Sequence, residues 1–317
     1  MGVPVEIARR DFLKSAVACG LGGAGIELNG SRSPLTAAQD IPLTSAGIPR
    51  LLSGCSAYSF RKQLMSGQMT MEDFIRRAVE LRLDGVDMTV YYLKSTEPAY
   101  LESLRYLAYK NAVAVIGAAC GARMVQADPA RRADVVNDIK KWVDVAGWLG
   151  VPQLRILAGN LPQGVSLKQA TDWVVEMMKS AVEYSAGKGI SLSLENNRGV
   201  TQNADTCLEV IHRVDSPYAG ITLDITHFVP TPSQDAYSQI AACIPYATNA
   251  HILDRFDDEA PIDLERIWKL FTQAGFKGYM SLEFDPRPGA EDTSDTEIRR
   301  MISEIRALCR KYSSTSS

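Results

Sequence analysis

The segment Ile190-Ser191-Leu192-Ser193-Leu194-Glu195 alternates apolar and hydroxyl-bearing residues and ends in a carboxylate. Successive side chains of a β-strand point to opposite faces, so the apolar residues predict one face packed against helices. The other face would then carry Ser191, Ser193 and Glu195. The interior of an α/β barrel is normally filled by branched apolar residues. A strand that turns serines and a glutamate inwards therefore indicates a functional end at Glu195.

Seven further short apolar segments alternate with amphipathic segments of period 3.6, which is typical of helices. Thr70 with Asp73, and Ser166 with Gln169, have the spacing of helix N-caps. Strand–helix alternation predicts parallel strands, and eight repeats predict closure into a single (β/α)8 TIM barrel. An open doubly wound sheet, the alternative, would carry a glycine-rich phosphate loop after its first strand, and this sequence has none there. The predicted strands are Leu52–Ser56, Gly85–Val90, Val113–Ala118, Gln153–Leu157, Ile190–Glu195, Ile221–Ile225, Asn249–Leu253 and Tyr279–Phe284.

Three later strands also end in inward polar groups, namely Asp224, His251 and Glu283. A lone buried carboxylate would cost several kcal/mol, roughly, unless it were paired or neutralised. Four such groups, counting Glu195, at the carboxyl ends of neighbouring strands predict a site for one divalent cation. Oxygen donors with one imidazole suit Mn²⁺, which we expect, with Mg²⁺, Co²⁺ or Zn²⁺ as alternatives. The inward residues that precede three of these groups are Thr222, Asn249 and Ser281.

Each of the four groups also has an interpretation that does not involve a metal. Glu195 could form an interior ion pair with Arg155, and Asp224 could cap the loop that follows its strand. His251 could be a hydrogen-bonded core histidine, and Glu283 could be solvated at the start of a loop. Their joint occurrence at one level of neighbouring strands favours the metal site.

The N-terminal segment resembles a twin-arginine export signal. Arg9-Arg10-Asp11-Phe12-Leu13-Lys14 is followed by a weakly apolar stretch, Ser15–Ile26, and by a small-residue cleavage site near Ala38. We therefore expect export to the periplasm by the twin-arginine machinery. The alternatives are the start of an amphipathic helix and lipidation at Cys19. The predicted organisation is a signal peptide over 1–38, a linker over 39–50, the barrel over 51–313 and a tail over 314–317.

Composition excludes several classes of function. With 34 Lys and Arg against 37 Asp and Glu, the net charge is −3, so the composition shows no excess of positive charge of the kind that binds nucleic acid. No run of about 18 apolar residues predicts a membrane span. The six cysteines form no CxxC motif, which argues against a zinc ribbon or a redox dithiol. Only three histidines occur, so sites that need many imidazoles are excluded. The oligomeric state stays open, and an oligomer is compatible with the composition.

Over roughly residues 51–310 the sequence resembles the xylose-isomerase-like barrels, the sugar phosphate isomerase/epimerase family that also contains endonuclease IV. The resemblance implies a carbohydrate substrate. The motifs that carry it are Ser193-Leu194-Glu195-Asn196-Asn197-Arg198-Gly199, Val214-Asp215-Ser216-Pro217, Leu223-Asp224-Ile225-Thr226-His227-Phe228, His251-Ile252-Leu253-Asp254 and Ser281-Leu282-Glu283.

The resemblance assigns metal binding to Glu195, Asp224, His251 and Glu283. It also implies that the two glutamates are the catalytic acid/base groups and that His227, three residues after the aspartate, contacts the substrate.

The sequence departs from the family pattern at two places that concern the substrate. Many members carry His where Asn197 stands and Lys where Leu253 stands. We place Asn197 among the candidate substrate-binding residues. Arg155, inward on the fourth predicted strand, and Arg255, just past His251, are also candidates for binding anionic or hydroxyl groups, with a structural ion pair as the alternative for each.

The resemblance favours a metal-dependent sugar isomerase or epimerase that removes a proton next to a carbonyl to give an enediolate. The same residues would serve a lyase, a dehydratase or a β-eliminase of oxidised glycosides, and product analysis would separate the two. A nuclease like endonuclease IV would need more histidines than the three present. A binding protein without turnover would not need all four ligand types.

Overall fold

The computed structural model describes residues 48–287 and 294–313. Within them, parallel strands pair in chain order and the last strand, β8, returns to pair with the first, β1. The prediction of a single (β/α)8 TIM barrel is confirmed. The export signal and the tail predicted over 314–317 lie outside the described residues. The strands are β1 (Arg50–Ser56), β2 (Gly85–Thr89), β3 (Ala114–Arg123), β4 (Gln153–Leu157), β5 (Ser191–Glu195), β6 (Ala219–Asp224), β7 (Ala247–Ile252) and β8 (Lys277–Leu282).

Helices cover the outside of the barrel between successive strands. The predicted caps are present: the Thr70 hydroxyl accepts from the Asp73 amide in a reciprocal capping box, and the Ser166 hydroxyl accepts from the Gln169 amide. None of the helices in the described part of the chain combines the length and hydropathy needed to cross a membrane. The helices are α1 (Arg61–Ser66), α2 (Met71–Glu80), α3 (Pro98–Lys110), α4 (Pro129–Leu149), α5 (Leu167–Ala186), α6 (Ala204–Val214), α7 (Ala236–Cys243), α8 (Leu264–Gln273) and α9 (Ser294–Ser313).

Strand β3 runs five residues past its predicted end at Ala118. Its pairing with β4 shifts register between Ala119 and Arg123, and Arg123 then pairs with Leu157. The extension carries Arg123 to the same level as the end of β4, at the mouth of the barrel.

A hydrogen-bonded polar layer crosses the barrel interior, in keeping with the predicted alternation of the strands. Thr222 donates to Ser193 (Oγ1 to Oγ, 2.9 Å), and Ser281 donates to Asn249 (Oγ to Oδ1, 3.1 Å). Asn249 in turn donates to Asp87 (Nδ2 to Oδ2, 3.0 Å). All five side chains are buried. This layer supports the groups at the carboxyl ends of the strands.

Candidate metal centre

Four side chains converge at the carboxyl ends of β5 to β8. Glu195 ends β5, Asp224 ends β6, His251 lies one residue before the end of β7, and Glu283 follows β8. Each offers one ligand atom, and these atoms all lie within 4.8 Å of one another. Three of the side chains are almost fully buried, while the Glu283 side chain keeps 14 % of its surface exposed. The four residues that strand alternation marked in the sequence therefore lie together in the structure.

His251 occupies the centre of the cluster. Its Nδ1 lies 3.2 Å from Oε1 of Glu195 and 3.1 Å from Oε2 of Glu283. On the other side of the ring, Nε2 lies 3.3 Å from Oδ2 of Asp87, on β2. A carboxylate that accepts from one ring nitrogen fixes the orientation of the imidazole, as is common for metal-binding histidines. The geometry therefore turns Nδ1 towards the two glutamates.

Sequence reasoning missed Asp87. The signal was present, because in Gly85–Thr89 the alternation that marks Glu195 also turns Asp87 inwards. Its Oδ1 has no hydrogen-bond partner among the described residues.

Neighbouring groups hold the carboxylates in position. Oδ1 of Asp224 accepts from the Thr226 amide (2.8 Å) and hydroxyl (2.6 Å). The Asn196 side chain bridges β5 to β6 by accepting from the Asp224 amide (2.8 Å) and donating to its carbonyl (2.7 Å). The Ser56 hydroxyl donates to Oε1 of Glu283 at 3.1 Å. The carboxylates of Asp224 and Glu283 are thereby oriented by neighbouring hydroxyl and amide groups.

Glu195 also faces two of the predicted substrate-binding residues. Its Oε2 lies 3.4 Å from Nη1 of Arg155 and 3.4 Å from Nδ2 of Asn197. The ion pair left open for Arg155 is therefore present in the structure. Nε of the same guanidinium is buried and has no hydrogen-bond partner among the described residues.

The local charges shift the pKa values of the cluster in opposite directions. Burial acts to raise the pKa of Glu283, but the adjacent His251, together with Arg155 and Ser56, lowers the value to about 2. Burial likewise opposes ionisation of Glu195, yet Arg155 and His251 hold its pKa below the usual range. Burial, with Glu283 contributing, raises the pKa of Asp224. Burial acts to lower the pKa of His251, but the surrounding carboxylates raise it well above its usual value.

This donor set fits a divalent cation. Three carboxylates crowd one buried imidazole, and among the described residues the nearby positive charge comes from His251 itself, His227 and Arg155. Burying like charges together is costly unless a counter-charge sits among them. Oxygen ligands with one imidazole suit cations such as Mn²⁺, Mg²⁺, Co²⁺ and Zn²⁺.

A cavity of about 470 Å³ opens above the cluster at the mouth of the barrel. All four predicted substrate-binding residues line it, together with the aromatic residues Tyr58 and Tyr91. The predicted substrate-binding residues are Arg155, Asn197, His227 and Arg255.

His227 and Arg255 both have acidic partners at the cavity edge. Nδ1 of His227 lies 3.0 Å from both carboxylate oxygens of Asp257. Burial acts to lower the pKa of His227, but Asp224 and Asp257 raise it to about 10. Nε of Arg255 lies 3.1 Å from Oε2 of Glu259, so the ion pair left open for Arg255 is also present. Asp257 was missed because it lies in the loop after β7, where no side-chain period applies.

Comparison with known proteins identifies the architecture. The model of a family described as xylose isomerase-like TIM barrel matches residues 75–307. A 2-oxo-tetronate isomerase from Haemophilus influenzae is 26 % identical over 169 residues, which are 50 % of this chain. The chain spans only 65 % of the length of that relative.

Two solved structures are similar in fold at low sequence identity. The IOLI protein with a binding zinc atom has a TM-score of 0.68 at 14 % identity, covering 83 % of this chain and 99 % of that one. The 3-keto-D-glucoside 4-epimerase YcjR from E. coli has a TM-score of 0.65 at 15 % identity, covering 82 % of this chain and 99 % of that one. At such identities the similarity establishes the barrel and leaves the chemistry to be argued from the site.

Proposed function

Since the chain belongs to the xylose isomerase-like TIM barrel family, we propose that it is a divalent-metal-dependent isomerase or epimerase of a sugar or keto-sugar. The observation that carries this proposal is the convergence of three carboxylates and one imidazole, within 4.8 Å, beneath an open cavity. The isomerase relative and the epimerase of similar fold support the reaction class. A lyase of the same fold is the alternative that the test below separates.

Glu195, Asp224, His251 and Glu283 would hold the cation, for which we propose Mn²⁺, with Mg²⁺, Co²⁺ or Zn²⁺ as alternatives. When bound, a divalent cation polarises a carbonyl and an adjacent hydroxyl and makes the proton on the carbon between them more acidic. The IOLI protein, a barrel of similar fold, has a binding zinc atom, which supports a bound metal without fixing its identity here.

The two glutamates would move the proton. Their carboxylate oxygens lie 3.2 Å (Glu195, at the end of β5) and 3.1 Å (Glu283, after β8) from Nδ1 of His251. The pKa of each is lowered, so both carboxylates are ionised at neutral pH and either can accept a carbon-bound proton. For an epimerase, the second glutamate would take up a proton from solvent at the open cavity and deliver it to the opposite face of the carbon, while the first releases its proton to solvent. For an isomerase, the first glutamate would return its proton to the neighbouring carbon, which interconverts an aldose and a ketose.

His227, Asn197 and Arg255 would orient the substrate. Asp257 lies 3.0 Å from Nδ1 of His227 and so fixes the orientation of the ring, while Nε2 lies 3.4 Å from Oδ2 of Asp224. This places His227 beside the proposed metal centre, where its ring is suited to a hydroxyl or carbonyl oxygen of the substrate.

Deuterium exchange tests the proposed reaction. The Mn²⁺-loaded protein is incubated in D₂O with D-fructose, a 2-oxo-aldonate or a methyl 3-keto-glucoside, and products are followed by NMR. We expect carbon-bound deuterium in an isomer of unchanged composition, and no exchange after chelation of the metal. Loss of a β-substituent would assign the lyase instead. Turnover without deuterium, or no exchange with any of the three compounds, would contradict proton abstraction at this site.

Export to the periplasm by the twin-arginine machinery is a further part of the proposal, resting on Arg9-Arg10-Asp11-Phe12-Leu13-Lys14. We expect Arg9→Lys combined with Arg10→Lys to leave an uncleaved protein in the cytoplasm, because the paired arginines are the recognition element of such signals. Cell fractionation with immunoblotting measures this, and Lys14→Arg is the control that keeps the pair. Normal mature protein in the periplasm of the double variant would overturn the assignment.

A further inference from the structure

The positive charges at the cavity mouth are distributed unevenly. In the loops after β5 and β7, each cavity-lining arginine has a carboxylate partner: Arg198 Nε lies 2.9 Å from Asp257 Oδ2, and Arg255 Nε lies 3.1 Å from Glu259 Oε2. On the β3 and β4 side the exposed Arg123 pairs with no carboxylate in residues 48–287 or 294–313. The unpaired positive charge therefore lies on one side of the mouth.

Arg155 adds a buried donor to that side. Its side chain is only 9 % exposed, it lines the cavity, and its Nε has no partner among the described residues. A buried guanidinium N–H without a partner costs free energy that a ligand oxygen would recover. Its Nη1 lies 3.4 Å from Glu195, so a group bound at Nε would sit beside the proposed reacting centre.

The strand register places Arg123 beside Arg155, and a glycine in β3 lets Tyr91 lie next to them. Arg123 pairs with Leu157, two residues beyond Arg155 on β4, so both arginines open onto one stretch of the cavity wall. Tyr91 lies against Gly121 so closely that a β-carbon at Gly121 would come within 2.2 Å of the tyrosine hydroxyl. Glycine at this position allows Tyr91 to lie over the end of β3.

We propose that Arg123, Arg155 and Tyr91 form a subsite for a substrate carboxylate, so that the substrate is a sugar acid. The inference rests on the proposed function, because it places the carboxylate beside the carbon that Glu195 would act on. The planar guanidinium matches a carboxylate through paired hydrogen bonds, and the phenol supplies a further donor. The short distance from Arg155 to Glu195 favours an acid group close to the reacting carbon over a phosphate at the far end of a chain.

A matched pair of non-reacting ligands tests the subsite. L-Threonate and L-threitol differ only in a carboxylate against a hydroxymethyl group, and calorimetry with the Mn²⁺-loaded protein gives both affinities. We expect threonate to bind at least about 10-fold more tightly, and Arg123→Gln to remove most of that preference, as hydrogen bonds to charged groups are worth about this much. Arg198→Gln, which removes a cavity arginine already paired with Asp257, is expected to keep the preference.

Three results would overturn the proposal of a carboxylate subsite. One is threonate binding no more tightly than threitol. Another is a preference that Arg123→Gln leaves intact, since the carboxylate would then be held by the cation alone. A third is inorganic phosphate displacing threonate at lower concentration than threonate itself requires, which would assign the arginines to a phosphate. Because these ligands do not react, binding can succeed while the deuterium exchange fails, and the two proposals fail separately.

Discussion

Turnover is expected to fall by about 10²–10⁴-fold when Glu195 or Glu283 is replaced with glutamine, while much of the metal binding survives. Glutamine preserves the volume and one oxygen donor of the side chain but cannot accept a proton at neutral pH. Since both carboxylates are ionised in the folded protein, each replacement removes a base that is present in the wild type. The measurement is kcat at saturating Mn²⁺, with metal content determined on the same samples.

Glu259→Gln is the matched control for these two variants. Glu259 lines the same cavity, but it is 54 % exposed and faces Arg255 instead of the four converging groups. Its replacement should change kcat by less than about 10-fold. If the metal-loaded Glu195→Gln and Glu283→Gln proteins both turn over substrate at the wild-type rate, neither carboxylate transfers the proton.

Strand alternation was a strong guide to the inner wall of the barrel because it is a local property. A two-residue period fixes which side chains enter the barrel, and closure into a ring then brings Glu195, Asp224, His251 and Glu283 to one level. No knowledge of the loops was needed for that. The metal and its role are proposals that this arrangement supports.

The parts of the site that escaped prediction depend on register and on loops. Arg123 reaches the mouth only because β3 continues past a register shift that no residue pattern marks. Asp257 meets His227 through the path of the loop after β7, where the contact joins residues 30 positions apart in the chain. Asp87 was within reach of the alternation argument, but its importance appears only when it is seen beneath the His251 ring.

The second large effect that we expect is a graded loss of Mn²⁺ affinity across three variants, of which Asp224→Ala loses the most. Asp224→Ala should reduce bound Mn²⁺ from about one ion per chain to a substoichiometric amount after dialysis, because it removes one of four donors. The fold should persist, since burial and Glu283 raise the pKa of Asp224, so that its charge does not stabilise the barrel. Elemental analysis gives the metal content, and far-UV circular dichroism checks the fold.

Asp87→Asn should lose less Mn²⁺ affinity than Asp224→Ala. We expect its affinity to be lower than that of the wild type by about 10–100-fold, as is usual when the partner of a metal-binding histidine is replaced. The Asp87 carboxylate accepts from Nε2 of His251 and so leaves Nδ1 facing Glu195 and Glu283. An amide of the same shape is a weaker acceptor and can present an N–H to the ring instead, which favours the tautomer with a proton on Nδ1.

Asp84→Asn is the control for Asp87→Asn, because Asp84 accepts from Ser53 near the start of β1, at the other end of the barrel. Calorimetric titration with Mn²⁺ should therefore rank wild type and Asp84→Asn together, Asp87→Asn below them and Asp224→Ala last. A full metal complement in Asp224→Ala would refute the ligand assignment. Wild-type affinity in Asp87→Asn would instead restrict Asp87 to the polar layer, where its bond to Asn249 supports the wall without orienting His251.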